Sequence, residues 1–348
     1  MRRRHRYSGI AAAAAFLWLA GAGFAAAAPA GTEEAEVSAP QPAASASPNY
    51  GARKALFEET GTITGIRWHD LAAADQYERT INFVKKRSAG DGLVGIYFSP
   101  EDWTGLSNPD RGDTSPQGIA AFGGKGVDGD GDGQADRNSD LDRLAAYARQ
   151  ITRFGTDEEN LRIGLWEYYQ NNRAVERITQ FSKIYAAFGT LDLFTHAFPL
   201  PLGADYSYRD TWGASRGWGG DRIHEGTDLF AHHGVPVRST CYGIIEVMGW
   251  NPFGGWRVGI RDLNNVYHYY AHLSGFSKEV KTGDVVKPAQ VIGWVGSSGY
   301  GKPGTSGKFP PHLHFGLYRD NGLTEWSFDP YPNLKKWERE ERAAGRKK

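Results

Sequence analysis

Five short runs in the second half of the chain, IIEVMGW, WRVGIRD, VYHYYAH, VIGWVG and HLHFGLY, are rich in β-branched and aromatic residues and separated by Gly, Asn and Asp turns at 263–265 and 282–284. Runs of this length fit strands and are too short for core-burying helices. They predict a compact antiparallel β domain over 193–335. The last run also carries chemistry, because PPHLHFGLY sets His312 and His314 one residue apart. Side chains alternate along a strand with period two, so both imidazoles face one side while Leu313 and Phe315 face the other. Two adjacent same-face positions given to histidine point to a site more than to a solvated surface.

Upstream lie His224 and Asp228 in RIHEGTDLF, then His268 and His272 in YHYYAHLS, and seven of the ten histidines fall between His224 and His314. Cys241 is the only cysteine, so an intrachain disulfide and a thiolate cage are both excluded, and a metal here must use imidazole and carboxylate. The spacing of His224 and Asp228 suits one face of a helix or of a strand. HEGTD even opens like the HExxH of helical zinc proteases, with Glu225 at their base position. Gly219, Gly220, Gly226 and Pro236 around it favour an extended segment, in which His224 and Asp228 face one way and Glu225 the other.

Two imidazoles and a carboxylate make a three-ligand set that leaves one tetrahedral position for water, as catalytic zinc requires. The expected ligands are His224, Asp228 and His314. His272 and His312 would flank the open position, one taking a proton during attack on an amide carbonyl, the other stabilising the oxyanion or protonating the leaving amine. His268 would share a strand face with His272, although YHYY is also what a core strand looks like. His268, His232 and His233 read as satisfied or surface histidines, and Cys241 as a small buried hydrophobe.

At 348 residues the chain exceeds the usual single-domain size, so two domains are expected. Its 40 basic and 40 acidic residues cancel, which removes the electrostatic case for nucleic acid. MRRRHR, an uncharged run over 9–28 and small residues around Ala28 and Ala30 predict an export signal over 1–30. Its alternative is an uncleaved membrane anchor, since the run approaches the roughly 20 residues that span a bilayer. Residues 31–48, mostly Ala, Pro, Ser and Glu, read as a flexible linker, and 336–348 as a charged tail forming a short helix or a frayed end.

Residues 49–192 predict a mostly helical domain: Leu141, Leu144, Ala145, Ala148 and Ile151 form one stripe, Val175, Ile178, Phe181 and Tyr185 another, and Thr156 with Glu159 a capping box. Within it, GVDGDGDGQAD puts Asp128, Asp130, Asp132 and Asp136 at positions one, three, five and nine of a calcium-loop pattern. Position twelve is Ser139 where Glu is usual, so the choice lies between a Ca2+ site and a solvated acidic turn. Glu78 falls on a helix in a partly apolar setting that would raise its pKa and suit a general acid.

HEGTD, YYAHLS and PPHLHFGLY, in this order and with TGDVVKPAQVIGWVGSSG between the last two, resemble the lysostaphin-type (LytM-type) zinc metallopeptidases that cut peptidoglycan peptides. The resemblance implies His224, Asp228 and His314 as zinc ligands and His272 and His312 as catalytic. In the helical half, WHDLAAADQYER, VGIYFSPEDW, KGVDGDGDGQAD and LWEYYQNNRAVERI resemble peptidoglycan lytic transglycosylases, with Glu78 at the catalytic glutamate. Tyr97 stands where that family usually has Gln and Tyr169 where it has Asn, which implies a glycan-holding domain without chemistry. The combination resembles sporulation-associated L-alanyl-D-glutamate endopeptidases. It implies cleavage between L-Ala and D-Glu of the stem peptide, peptidoglycan as partner, and a place in the cell wall, the extracellular space or the forespore intermembrane space. The alternatives are a bifunctional hydrolase in which Glu78 also cuts glycan, and a non-enzymatic wall-binding scaffold. Lys302 or Lys308, on the loop 299–311, is expected to meet a stem-peptide carboxylate or else to be solvated.

Overall fold

The computed structural model describes residues 49–88, 92–216 and 222–346, so the expected signal at 1–30 and linker at 31–48 lie outside it. Seven helices come first: α1 (Tyr50–Thr64), α2 (Trp68–Lys85), α3 (Pro100–Thr104), α4 (Pro116–Ala121), α5 (Asp140–Ile151), α6 (Glu158–Tyr169) and α7 (Asn172–Phe188). Ser99, Ser115 and Ser139 cap α3, α4 and α5, each side chain accepting a backbone N–H of the first turn. The stripes predicted for α5 and α7 are the faces that pack, with Leu144, Ala148, Ile151, Val175, Ile178, Phe181 and Tyr185 buried and Leu141 and Ala145 half-buried. The cap of α6 falls on Asp157, not on Thr156. The Asp157 carboxylate accepts the Asn160 N–H at 3.1 Å, where a negative charge also favours the positive end of the helix.

The strands follow as β1 (Tyr206–Tyr208), β2 (Ser215–Arg216), β3 (Arg222–Ile223), β4 (Thr227–Ala231), β5 (Pro236–Arg238), β6 (Gly243–Asn251), β7 (Gly255–Asp262), β8 (Val266–Phe276), β9 (Val285–Val286), β10 (Val291–Val295), β11 (His312–Asp320) and β12 (Glu325–Phe328). The main sheet runs β1-β4-β11-β8-β7-β6-β9, with β12 beside β11 and β10 joining β8 to β5; every pairing is antiparallel. In its centre β11 lies between β4 and β8, which brings Asp228 and the two histidine-bearing strands together.

The last of these helices ends at Phe188 and the first strand begins at Tyr206, yet the two halves share a core. Ile244 of β6 and Leu263 pack with Leu71, Phe181 and Ile184 of the helical half. Beside them, Arg177 of α7 pairs with Glu246 at 2.5 Å and Asp320 at 3.5 Å, while Arg261 pairs with Glu246 at 3.2 Å and Glu325 at 2.7 Å. Asn49–Lys348 accordingly form one unit. The charged end is α8 (Tyr331–Gly345), whose Leu334 and Trp337 are buried in the sheet's own core beside Phe315. Its charges cover one face only, so residues 336–345 belong to the folded body. Among the described residues no helix is long and apolar enough to cross a membrane.

Candidate active site

Asp228 on β4 lies directly opposite His314 on β11, and His224 sits just after β3. Backbone hydrogen bonds fix the latter, since His224 N–H donates to Ala214 O at 2.8 Å. The His224 Nδ1 faces Thr211 O at 2.8 Å, and a carbonyl only accepts, so Nδ1 carries the proton and Nε2 is left with its lone pair. That Nε2 lies 2.9 Å from His314 Nδ1 and 3.1 Å from Asp228 Oδ1, and His314 Nδ1 lies 3.0 Å from the same oxygen. The three donor atoms therefore converge on one point. Ligand atoms about 2.1 Å from a tetrahedral zinc are separated by little more than this. The residues fit that ion in donor chemistry and spacing, and Thr211 O holds the His224 ring in place. Gly226 keeps the gap open, because a Cβ there would lie 2.7 Å from His314 Nε2 and 2.6 Å from Phe315 O.

Burial alone would raise the Asp228 carboxyl, but the adjacent His224 and His314 imidazoles outweigh it and hold the group well below the usual carboxylate range. Burial pushes His314 down. His312 and His272 flank the triad. The His312 Nδ1 donates to Pro310 O at 2.7 Å, leaving Nε2 3.9 Å from Asp228 Oδ1, and the His272 Nδ1 donates to Ser298 O at 2.7 Å. Both rings thus present an unprotonated Nε2. The His272 ring centroid is 4.7 Å from that of His312 and 6.0 Å from that of His314. Burial first, then the His312 and His314 charges, push His272 down to about 3.

His268 does not lie beside the site. Alternation holds along β8 as far as Tyr270 and then breaks, because pairing shifts register on both flanks of the strand and His272 adopts φ 63°, with its N–H donating to Gly254 O at 2.7 Å. The break puts His272 on the cleft side and leaves His268 behind the sheet beside Phe315 and Trp337. There it completes a closed chain of donors and acceptors. Thr240 N–H donates to Tyr270 OH at 2.8 Å, Tyr270 OH to Thr240 Oγ1 at 2.7 Å, Thr240 Oγ1 to His268 Nδ1 at 2.6 Å, and His268 Nε2 to Asp262 Oδ2 at 3.2 Å. His196 lies 4.0 Å from the same carboxylate, and both ring nitrogens of His268 are already engaged in this network. His232 and His233 are exposed, and Cys241 is buried.

A groove of about 430 Å³ opens over the triad, lined beside the histidines by Arg222, Glu225, Asn251, Phe253, Tyr269, Tyr300 and Tyr318. Neither Lys302 nor Lys308 lines it. Lys308 stands over the Tyr300 ring at 6.0 Å.

Of the acidic-loop residues, Asp128 and Asp130 come together with Asp142, which the loop pattern missed, while Asp132 and Asp136 stand outside that group. The available signal was the third residue after Ser139, in SDLD. Asp142 is buried and accepts backbone N–H groups from Gly129 and Asp136, both at 2.7 Å.

Glu78 is 6% exposed on α2, among Tyr77, Tyr147, Tyr168 and Tyr169. Burial raises its carboxyl from 4.5 to about 7, and a hydrogen bond with Tyr169 offsets part of the shift. A raised folded-state pKa favours the protonated form, so the fold has its full stability below pH 4.5 and loses up to about 3 kcal/mol as the pH rises through 7. Glu78→Gln is therefore expected to match the native chain near pH 4 and exceed its stability by about that amount at pH 8. Denaturant titrations across this range check it, and parallel pH profiles would refute it.

Residues 222–329 match Peptidase family M23. The L-Ala–D-Glu endopeptidase of Bacillus subtilis (strain 168) is 54% identical over 306 residues, 86% of this chain and 94% of that one, a span that takes in the helical half. Lysostaphin of Staphylococcus staphylolyticus is 38% identical over 115 residues, 32% of this chain and 22% of that one. The solved catalytic domain of lysostaphin from Staphylococcus simulans shares 33% identity over 38% of this chain and 92% of that one, at a TM-score of 0.30, too low to support a structural comparison. More than half of all aligned residues are shared with a relative matched over nearly its whole length, and the family match spans His224, Asp228, His272, His312 and His314: the chain belongs to peptidase family M23.

Proposed function

We propose that this chain is an exported zinc endopeptidase that hydrolyses the L-Ala–D-Glu bond of peptidoglycan stem peptides. The observation that carries the reading is the convergence of His224 Nε2, His314 Nδ1 and Asp228 Oδ1 within about 3 Å of one another, in a chain 54% identical to an endopeptidase named for that bond. Bound zinc supplies a Lewis acid and lowers the pKa of water toward about 7. His224, Asp228 and His314 hold it. His272 and His312 divide the proton transfers, because Ser298 O and Pro310 O fix each ring with Nε2 ready to accept. One takes a proton from the attacking water. The other, once protonated, stabilises the oxyanion or donates to the leaving amine. The weak basicity of His272 suits returning a proton over retaining one.

Residues 193–335 make up the peptidase part, and 49–192 serve as a glycan-holding part similar to lytic transglycosylases. The segment 1–30 directs export to the cell wall, the extracellular space or the forespore intermembrane space, with membrane attachment only if it is retained, and 31–48 act as a tether. Mass spectrometry of purified peptidoglycan treated with the zinc-loaded chain tests the reading. New N-terminal D-Glu fragments are expected, and folded, zinc-loaded protein that releases none would return the molecule to a wall-binding scaffold. The raised carboxyl of Glu78 favours a second, glycan-cutting activity, which its burial opposes. Sugar fragments released by the native chain and not by Glu78→Gln would establish that activity.

Calcium in the loop 128–142 belongs to the same proposal, supported by the approach of Asp128, Asp130 and Asp142. Millimolar Ca2+ is expected to raise the melting temperature by several degrees and Asp128→Ala to abolish the rise. An unchanged melting temperature would dismiss the ion.

A further inference from the structure

The charged residues that line the groove, the histidines aside, are Arg222 and Glu225. Arg222 on β3 precedes His224 by two positions, so the period of an extended segment sets it on the side of the first expected zinc ligand. Its guanidinium lies over the Phe253 ring at 4.8 Å, which covers a flat face and leaves the N–H edges for a ligand. Among the described residues no carboxylate forms an ion pair with it, whereas Arg177 and Arg261, which do not line the groove, are both paired. Glu225 engages the Tyr318 hydroxyl at 3.4 Å, and its charge turns a second acid away from that part of the groove.

A glutamate joined through its nitrogen to alanine has two carboxyls, and a peptide continuing through one of them leaves the other free, a few bonds from the scissile amide. Resting on the proposed cut at the L-Ala–D-Glu bond, we infer that Arg222 binds this free carboxylate and makes the enzyme prefer an acidic stem peptide over an amidated one. A planar guanidinium held from one side by a ring is suited to a bidentate contact of this kind, which a flexible lysine on the loop 299–311 is not.

The test compares the full zinc-loaded chain with Arg222→Gln and Arg222→Lys on two synthetic peptides. Both contain L-Ala–D-Glu, one with the free carboxylate and the other with that group as a primary amide. For Arg222→Gln the KM on the acidic peptide is expected to rise about 30-fold with kcat little changed, and the amide peptide to respond less than about threefold. Arg222→Lys should recover part of the loss. Calorimetric binding of the cleaved acidic product to the zinc-free chain should weaken in parallel, which reads the contact without catalysis. Equal losses on both peptides, or no loss on either, overturn the role of Arg222 while the bond assignment stands. A wild-type chain that cuts neither peptide at this bond overturns the assignment, and the ligand given to Arg222 with it. Arg222 is exposed, so unchanged melting temperatures are expected to accompany both variants.

Discussion

Asp228→Ala is expected to lose stoichiometric zinc and with it all but about one thousandth of the peptide cleavage. Asp228 is the one anionic member of the triad, and its Oδ1 is the point on which both ligand nitrogens converge at 3.0 and 3.1 Å. Without it two imidazole nitrogens 2.9 Å apart face each other with no charge to balance a divalent ion. The side chain is almost buried in the cleft and carries none of the sheet's backbone pairing, so the variant should fold. Elemental analysis after dialysis against micromolar zinc, together with peptidoglycan digestion, gives both readouts. Full zinc occupancy with native turnover would remove Asp228 from the site.

The second large effect separates proton transfer from metal binding. His272→Asn is expected to keep its zinc and lower kcat by about 10²–10⁴-fold with KM nearly unchanged. The ring stands outside the ligand triangle, with its Nδ1 tied to Ser298 O and Nε2 toward the cleft. Asn is the substitution of choice because position 272 has φ 63°, a conformation that Asn tolerates better than most residues. His272→Ala should show the same kinetics and in addition lose about 1 kcal/mol of stability. A zinc-depleted His272→Asn protein would make the residue a ligand or a support for one, and undiminished kcat would relieve it of any chemical role.

Much of the sheet was legible because strands of alternating burial leave a period-two record. The five runs read from sequence coincide with β6, β7, β8, β10 and β11 to within four residues. The His224, Asp228 and His314 set was legible for the same reason, since alternation fixes the facing and few other residues combine imidazole with carboxylate. Where alternation breaks, the record fails. His268 and His272 are four apart and would share a face in a regular strand, but a positive φ flanked by register shifts parts them, and no pattern of polar and apolar residues encodes such a break. The acceptors that set the histidine tautomers, Thr211 O, Ser298 O and Pro310 O, are backbone atoms of distant or irregular segments and leave no trace in residue type. Asp142 was hidden by the assumption of a twelve-residue loop. The tail hid Trp337 because its charges dominate the composition while one buried face decides the packing.

The seam between helices and sheet bears on how freely this enzyme can be recombined. A fragment beginning near residue 195 would strip Ile244 and Leu263 of their apolar partners and take Arg177 away from Glu246 and Asp320. Asp320, buried and paired only with Arg173 and Arg177, would lose both cations, while Glu246 would keep only Arg261. The catalytic half is thus not a cassette to be lifted out and fused to a wall-targeting module of choice. Any such chimera has to carry α7, and with it the helices that hold α7 in place, so the pairing of these two halves is constrained by folding as well as by function.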